Sequence, residues 1–354
     1  MPSPRVDDPA QAEGHGSPSL AAVTVDSYSL ELRDDEGELV GDKASQTAFR
    51  QLLERWRKRA RKEHGTDPLG SSPSESYSKK KLDRLVEQEP AAAHLVQGAS
   101  DEFADQLAEV IHEFTVHKAW RGIERIIIGG GFQQSAVGQR AVERAIVVLR
   151  SKGTEIDMRT LRHEADDGGL IGWVHLAPRP MVMNGYDALL AVDIGGTNLR
   201  VGIVRTHVGK ADDLSKADVI ERQKWRHADD EPDRKNLIDR LADMLAESIE
   251  HAEHKGIALA PFVGVACPGV IREDGSIASG AQNLPGDWES STFHLPSRLA
   301  KKIPTIGGKK TLVRMHNDAV VQGLSELPHV QDVKRWAVLT IGTGLGNATY
   351  TNKK

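Results

Sequence analysis

The residues best suited to chemistry lie in Leu189–Arg205, which reads LLAVDIGGTNLRVGIVR. An apolar run carries Asp193 near its end; Gly195, Gly196, Thr197 and Asn198 follow, and a second apolar run begins. Glycines without a Cβ let the backbone approach a ligand closely. Main-chain N–H groups and the Thr197 hydroxyl then face a concavity suited to phosphate oxygens. An acid beside such a cradle is useful mainly when Mg²⁺ links the two. The pattern returns after Trp336–Ile341, where Thr340 leads into Gly342, Thr343 and Gly344. Between the two turns in sequence, His316, Asn317 and Asp318 follow the short apolar run Thr311–Met315. Two Gly/Thr turns can hold the β- and γ-phosphates while an Asp accepts the proton of an attacking hydroxyl, the minimum apparatus of phosphoryl transfer. A carboxylate of ordinary pKa suffices as that base, since the proton leaves late. Taken singly, each turn also reads as an ordinary β-turn; together they point to chemistry.

The elements that must position these residues follow from pattern. The two runs around Gly195 predict a hairpin, Phe262–Ala266 a buried strand that stops at Cys267-Pro268-Gly269, and Thr311–Met315 and Trp336–Ile341 two more strands. Asn236–His254 carries Leu237, Leu241, Met244, Leu245 and Ile249 at helical spacing. Gln282–Trp288 reads as a polar loop with one aromatic anchor, and Asp274-Gly275 as a turn. Towards the front, Val23–Leu32 alternates as a strand does, Asp35–Gly37 marks a turn, and Ala48–Glu63 and Asp101–His117 have helical apolar stripes. Gly70–Ser78 reads as a loop before a basic helical start at Lys79. Glu124–Gly131 is an apolar strand ending in Gly129, Gly130 and Gly131, and Val142–Leu149 returns to helical spacing. A strand, a glycine turn and a helix in that order is how α/β proteins place a nucleotide at a strand's carboxyl end. Ala165–Pro178 predicts a buried helix whose glycines permit close packing.

Composition sets the bounds. At 354 residues the chain has room for about two domains. A hydrophobic content of 39% with 27% charged residues is that of a soluble globular chain, and a net charge of −5 argues against nucleic acid or an anionic membrane as partner. The basic helix at Ala48–Glu63 reads as a solvated face. The single cysteine, Cys267, excludes an internal disulfide and a thiolate zinc cluster. No apolar run reaches the roughly 18–20 residues of a membrane span. The polar, acidic front has no signal-peptide core, so the expected setting is cytoplasmic, and residues 1–20 read as a disordered tail.

Leu189–Asn347 resembles the ROK family of sugar kinases and repressors, a branch of the actin-like ATPase superfamily. The resemblance is carried by VDIGGTNLRVGIV, CPGVI, DGSI, NLPGDW, HNDA and LTIGTGLGNA. It implies an α/β fold of two actin-like (ribonuclease H-like) lobes around a central cleft, with ATP and Mg²⁺ as cofactors and a hexose-type sugar as the small-molecule partner. By the same resemblance Asp318 is the catalytic base, Asn283 and Asn317 are sugar-hydroxyl ligands, and Gly269 lies against the sugar. Asp193 serves Mg²⁺ through water. Gly195, Gly196, Thr197, Asn198, Thr340, Gly342, Thr343 and Gly344 hold the phosphates, and Gly129, Gly130 and Gly131 touch adenosine. A homodimer is also implied. Two departures stand out: the family's cysteine-rich zinc signature is absent, so no structural zinc is expected, and its Glu-x-Gly-His sugar motif is not found. Gly37–Lys43 (GELVGDK) is the nearest candidate for that motif, while His64 and His94 read as surface residues.

Phe103–Pro178 resembles the family's C-terminal portion, although it precedes the first phosphate loop. The expectation is therefore a circularly permuted chain. It would have a nucleotide-side lobe from 21–164 and 322–354 and a sugar-side lobe at 165–321. A truncated kinase behind an unrelated N-terminal domain is the alternative architecture. The alternative functions are a degenerate sugar sensor and an ATPase that acts without a sugar.

Overall fold

A computed structural model describes residues 14–353, so the first thirteen residues of the expected tail lie outside it. Along the chain, strand β1 (Val23–Tyr28) precedes helices α1 (Gln46–His64), α2 (Lys79–Gln88) and α3 (Pro90–Val116), then β2 (Arg125–Gly129), α4 (Ala136–Ser151) and β3 (Asp157–Thr160). Helices α5 (Ala165–Ile171) and α6 (Arg179–Met183) lead to β4 (Ala188–Ile194), β5 (Leu199–Arg205), β6 (Asp218–Trp225), α7 (Arg234–His254) and β7 (Leu259–Cys267). The short pair β8 (Val270–Ile271) and β9 (Ile277–Ser279) comes next, followed by α8 (Leu295–Lys302) and a second pair, β10 (Thr305–Ile306) and β11 (Lys309–Lys310). The chain then forms β12 (Leu312–Asn317), α9 (Asp318–Leu324), β13 (Arg335–Ile341) and β14 (Leu345–Asn352). The α/β class expected from the sequence is the one the chain adopts.

Contacts divide the chain into two compact units, one holding residues up to Ser29, Arg162–Lys334 and from Tyr350 onward, the other Leu30–Leu161 and Arg335–Thr349. These bounds interleave more than the lobes drawn from the sequence, because β1 and the last residues of β14 go with the first unit. There Thr351 Oγ1 donates to Asp26 Oδ2 at 2.7 Å.

The first unit is built on a sheet of order β12-β7-β4-β5-β6. β4 and β5 pair antiparallel from Ala188↔Arg205 to Ile194↔Leu199, while β4 and β12 both run parallel to β7. β7 is buried along its whole length, as its unbroken apolar sequence demands of a strand covered on both faces. Gly264 sits at its centre because the Trp173 indole lies against it: a Cβ there would be 2.1 Å from the ring. Helix α7 covers one face with its apolar stripe and is capped by Asp233, which accepts from Asn236 N at 2.7 Å.

The second unit is built on β2, β3, β13 and most of β14, in a sheet of order β1-β14-β13-β2-β3. β13 pairs parallel with β2 from Trp336↔Arg125 to Thr340↔Gly129, and β2 with β3. Phe49 of α1, Phe103 of α3 and Phe132, in the 3₁₀ turn before α4, pack against one another with ring centroids 4.9–5.7 Å apart. Such contacts between aromatic rings add to the area buried. Helix α3 begins eleven residues before the stripe read at Asp101, because Pro90 occupies its first turn and the small residues behind it pack as helix. The helix read over Ala165–Pro178 is shorter: α5 ends at Ile171 and tightens into a 3₁₀ turn at Gly172–His175.

Candidate active site

Three neighbouring strands of the first unit, β4, β7 and β12, end side by side. Register puts Asp193 opposite Ala266 and Asn317 opposite Cys267. That alignment gathers the residues of the first Gly/Thr turn, the Cys267-Pro268-Gly269 turn and the Asn317-Asp318 pair at one end of the sheet. Parallel strands with a helix after them present their carboxyl ends in this way.

The turn between β4 and β5 is held from outside. Gly195 N donates to Asn198 O at 2.9 Å, and His227 Nε2 bonds Gly195 O at 2.8 Å. Ala228 N donates to Thr197 O at 3.2 Å. Gly196 packs on the loop that carries Asn283: a Cβ there would stand 3.0 Å from Asn283 Cβ. Asn283 itself is exposed. Gly269 has φ +96°, and a Cβ on it would be 2.3 Å from Ser279 O, so only glycine makes this turn.

Asn317 is 2% exposed and its side chain is engaged within the protein. Its Oδ1 accepts from Val320 N at 3.2 Å and caps α9. Its Nδ2 donates to Gly269 O at 3.0 Å and to Ser29 Oγ at 3.1 Å. Ser29 holds φ +50°, a conformation uncommon outside glycine. Asn317 therefore braces the Gly269 turn and fixes the start of the helix on which Asp318 sits. His316 is buried and neutral; its Nδ1 accepts from Asn317 N at 2.8 Å and its Nε2 faces Ser17 O at 3.1 Å. Burial holds its pKa down to about 4.

Asp318 opens α9, with Oδ1 accepting from Ala319 N at 2.9 Å. Burial and the negative charge of Asp193 push its pKa up to about 7. The same burial, with Asp318 and Asp193 close by, raises the Cys267 thiol well above its ordinary range. Asp193 is likewise raised by burial, an effect that the Arg200 guanidinium opposes.

In the second unit, the turn between β13 and β14 closes with Gly342 N donating to Gly344 O at 2.9 Å. The start of α1 holds it: Gln46 N donates to Gly342 O at 2.9 Å and Thr47 Oγ1 to Thr343 O at 2.9 Å. Thr340 pairs with Gly129 across β13 and β2. Gly130 has φ +84°, and a Cβ would lie 2.5 Å from the Ile341 main chain, so β2 turns against β13 through glycine alone. Lys79 Nζ donates to Gly131 O at 2.5 Å. The segment Gly37–Lys43 is partly a 3₁₀ turn with Asp42 and Lys43 exposed, and His64 and His94 are exposed.

Several residues that touch the candidate site have no motif of their own in the sequence. Arg200 and Asp166 flank Asp193, His227 holds the first turn, and Gln46 and Lys79 hold the glycine turns of the second unit. Only Arg200 left a local signal, as a charge interrupting an otherwise apolar strand. Among the described residues no three His, Cys, Asp or Glu side chains gather as a metal cluster, and no helix is long and apolar enough to cross a membrane. Mg²⁺ does not require such a cluster. It is commonly held by one or two carboxylates with waters and substrate phosphates completing the shell, and Asp193 beside a glycine turn fits that donor set.

Two parallel-strand units, each ending in a Gly/Thr hairpin turn, agree with a family assignment that covers much of this site. Residues 189–354 match the model of the ROK family. Across 164 residues it is 29% identical to a glucokinase from Thermotoga maritima, a match covering 46% of this chain and 44% of that protein. The chain thus spans less than half the length of this curated relative. Among solved structures, a candidate N-acetylmannosamine kinase from Listeria monocytogenes is 25% identical, with a TM-score of 0.34 over 47% of each chain. A candidate sugar kinase from Cytophaga hutchinsonii is 16% identical, with a TM-score of 0.33 over 47% of this chain and 48% of that one.

Proposed function

We propose that this protein is an ATP-dependent sugar kinase that transfers the γ-phosphate to a hexose-type hydroxyl, with Asp318 as general base. The observation that carries the reading is Asp318 itself: a carboxylate at the end of β12, beside Asp193, with a pKa pushed up to about 7. A base poised near the working pH takes a hydroxyl proton with little driving force lost. The Gly195–Asn198 turn and the Gly342–Gly344 turn offer main-chain N–H groups to phosphate oxygens. Gly129, Gly130 and Gly131, with Lys79 fixed on the last of them, form the adenosine side. Asp193 would hold Mg²⁺ through water; the ion supplies charge neutralisation for the transferring phosphoryl group. Asn283, exposed on its loop, meets the sugar, and Gly269 lies beneath it. Asn317 reaches the sugar through what it positions, since its amide is already bonded to Gly269.

The same reading includes a circular permutation of two actin-like lobes. Its support is strand order. In the first unit the hairpin β4-β5, the third strand β6 and the parallel strands β7 and β12 follow one another in the chain. In the second the hairpin β13-β14 comes last, and β1, β2 and β3, which occupy the places of β6, β7 and β12, come from residues 23–160.

A second reading, a sugar sensor without turnover, is favoured by one observation: Gly37–Lys43 brings no imidazole where the family has one. A coupled ATP-consumption assay across hexoses, amino sugars and polyols tests both. Turnover with a sugar that Asp318→Asn abolishes supports the kinase. Sugar binding by calorimetry with no ATP consumed in the presence of any sugar overturns it in favour of the sensor.

A further inference from the structure

Asp193 stands at one end of a largely buried charge network that the phosphate-loop motif does not account for. Arg200, the second residue of β5, sends Nη1 to Asp193 Oδ2 at 2.8 Å. The same guanidinium sends Nε to Asp166 Oδ1 at 2.7 Å and Nη2 to that oxygen at 2.6 Å. Lys224, on β6, reaches the other Asp166 oxygen at 2.6 Å. The side chains of Asp193, Arg200 and Asp166 are only 13–15% exposed. Two carboxylates and two cations thus alternate, and each interior member is held from both sides.

Helix α5 touches Asp193 a second time. Gly169 lies so near that a Cβ on it would be 3.0 Å from Asp193 Cγ and 3.3 Å from each carboxylate oxygen. One turn of α5 therefore supplies both the anchor for Arg200, through Asp166, and the floor on which the Asp193 carboxylate rests, through Gly169. Beside it, Asp167 pairs with Arg222, which holds the same helix turn to β6.

We infer that Arg200 and Asp166 are positioning residues for Asp193: the Asp166–Arg200 pair takes up one carboxylate oxygen, fixes the plane of the group and leaves the other oxygen for a hydrated Mg²⁺ on the phosphate side. The inference rests on the kinase reading for the metal's role. Its basis in the structure is independent, since the network uses no residue of either Gly/Thr turn. A planar, five-donor guanidinium suits this task, because it grips two carboxylates in fixed directions where a lysine offers a single point charge. Residues that orient a metal-binding group typically matter about 10–100-fold in metal affinity or activity when replaced.

The test compares wild type, Asp166→Asn, Arg200→Lys and Arg200→Gln by calorimetric binding of ADP with and without Mg²⁺, alongside kcat and KM and a melting curve. The expected result is that Asp166→Asn and Arg200→Lys melt near wild type and bind metal-free ADP normally. Both lose about 10–100-fold of the Mg²⁺-dependent gain in ADP affinity, and kcat falls with the sugar KM unchanged. Arg200→Gln, which leaves Asp193 buried without its cation, shows the larger loss or fails to fold; the other two variants decide the matter in that case. Asp166→Asn and Arg200→Lys proteins with the full Mg²⁺ gain overturn the inference. So does a wild-type protein whose ADP binding ignores Mg²⁺. A wild type that binds Mg²⁺-ADP and consumes no ATP with any sugar overturns only the kinase reading, and the binding series still decides the role of Arg200 and Asp166.

Discussion

The two sheets have one plan and different equipment. In β12-β7-β4-β5-β6 and in β3-β2-β13-β14-β1 a hairpin with a Gly/Thr turn stands beside two parallel strands. In both, the nearer parallel strand ends in a glycine of positive φ, Gly269 at +96° and Gly130 at +84°. The outer parallel strands differ. β12 delivers Asn317 and Asp318 onto a helix start, whereas β3 ends at Thr160 and passes into Leu161 with no acid. The first hairpin carries Asp193 and its Arg200–Asp166 network; the second carries Thr340 at the corresponding strand end and is held by the uncharged Gln46 and Thr47. Burying carboxylates is costly unless they are paired or protonated. At these strand ends the first unit buries Asp193 and Asp318, whereas the second places no carboxylate at Thr340 or Thr160.

The largest effect that can break this contrast is at Asp318. Asp318→Asn should lower sugar-dependent ATP consumption by about 10²–10⁴-fold, the usual worth of a general base, while calorimetric ADP binding is kept. The variant should also melt higher than wild type at pH 8. The native pKa is about 7 against an ordinary 3.8, so the stability this group contributes is present below the ordinary value and lost as pH rises through about 7. Asparagine has no such loss.

Next come the paired glycines. Gly130→Ala and Gly269→Ala each force a side chain into a left-handed turn against main chain, at 2.5 and 2.3 Å, and each should lower stability by about 1–3 kcal/mol in chemical denaturation. Similar losses at both sites sharpen the equivalence of the two sheets. A neutral result at one of them breaks it.

The pH dependence comes third. Turnover at saturating substrate should rise from pH 6 to 8 as Asp318 ionises around 7. Stability should fall on the acid side for a different reason. His15, His175 and His316 are held to about 4, chiefly by burial, so the unfolded chain takes up protons first as pH drops below 6.5. Melting temperatures measured from pH 7 to 4.5 should decline, and His316→Asn should flatten part of that slope. The smallest effect is at Lys79, whose ammonium is already bonded to Gly131 O. Lys79→Ala should raise the KM for ATP by a few fold without changing the sugar KM, because a charge still partly open to water contributes about 1 kcal/mol or less.

Local pattern was enough for much of this fold. Apolar runs broken by Gly and Thr located both hairpin turns, and the strand before Asn317-Asp318 was plain because Val313 and Met315 face the core. The strands that escaped, β3, β6 and β14, are short or largely polar: β6 reads DVIERQKW with half its residues charged, as suits a sheet edge open to solvent on one side. The family resemblance makes Asn317 a sugar ligand. Its engagement with Gly269, Ser29 and Val320 depends on where a turn 48 residues earlier and a strand end 288 residues earlier come to rest.

The sequence by itself determined where the two Gly/Thr turns fall and which acid follows the β12 strand, because glycine spacing and apolar alternation are properties of adjacent residues. Only the tertiary structure decided what those groups become. Asp318 is an ordinary carboxylate on paper and one whose pKa is pushed up to about 7 beside Asp193; Asp193 is a lone acid on paper and is joined through Arg200 to Asp166, 34 residues before that arginine. The physical reason is that a pKa and a carboxylate's direction are set by burial and by charges a few ångströms away, and those neighbours come from distant parts of the chain.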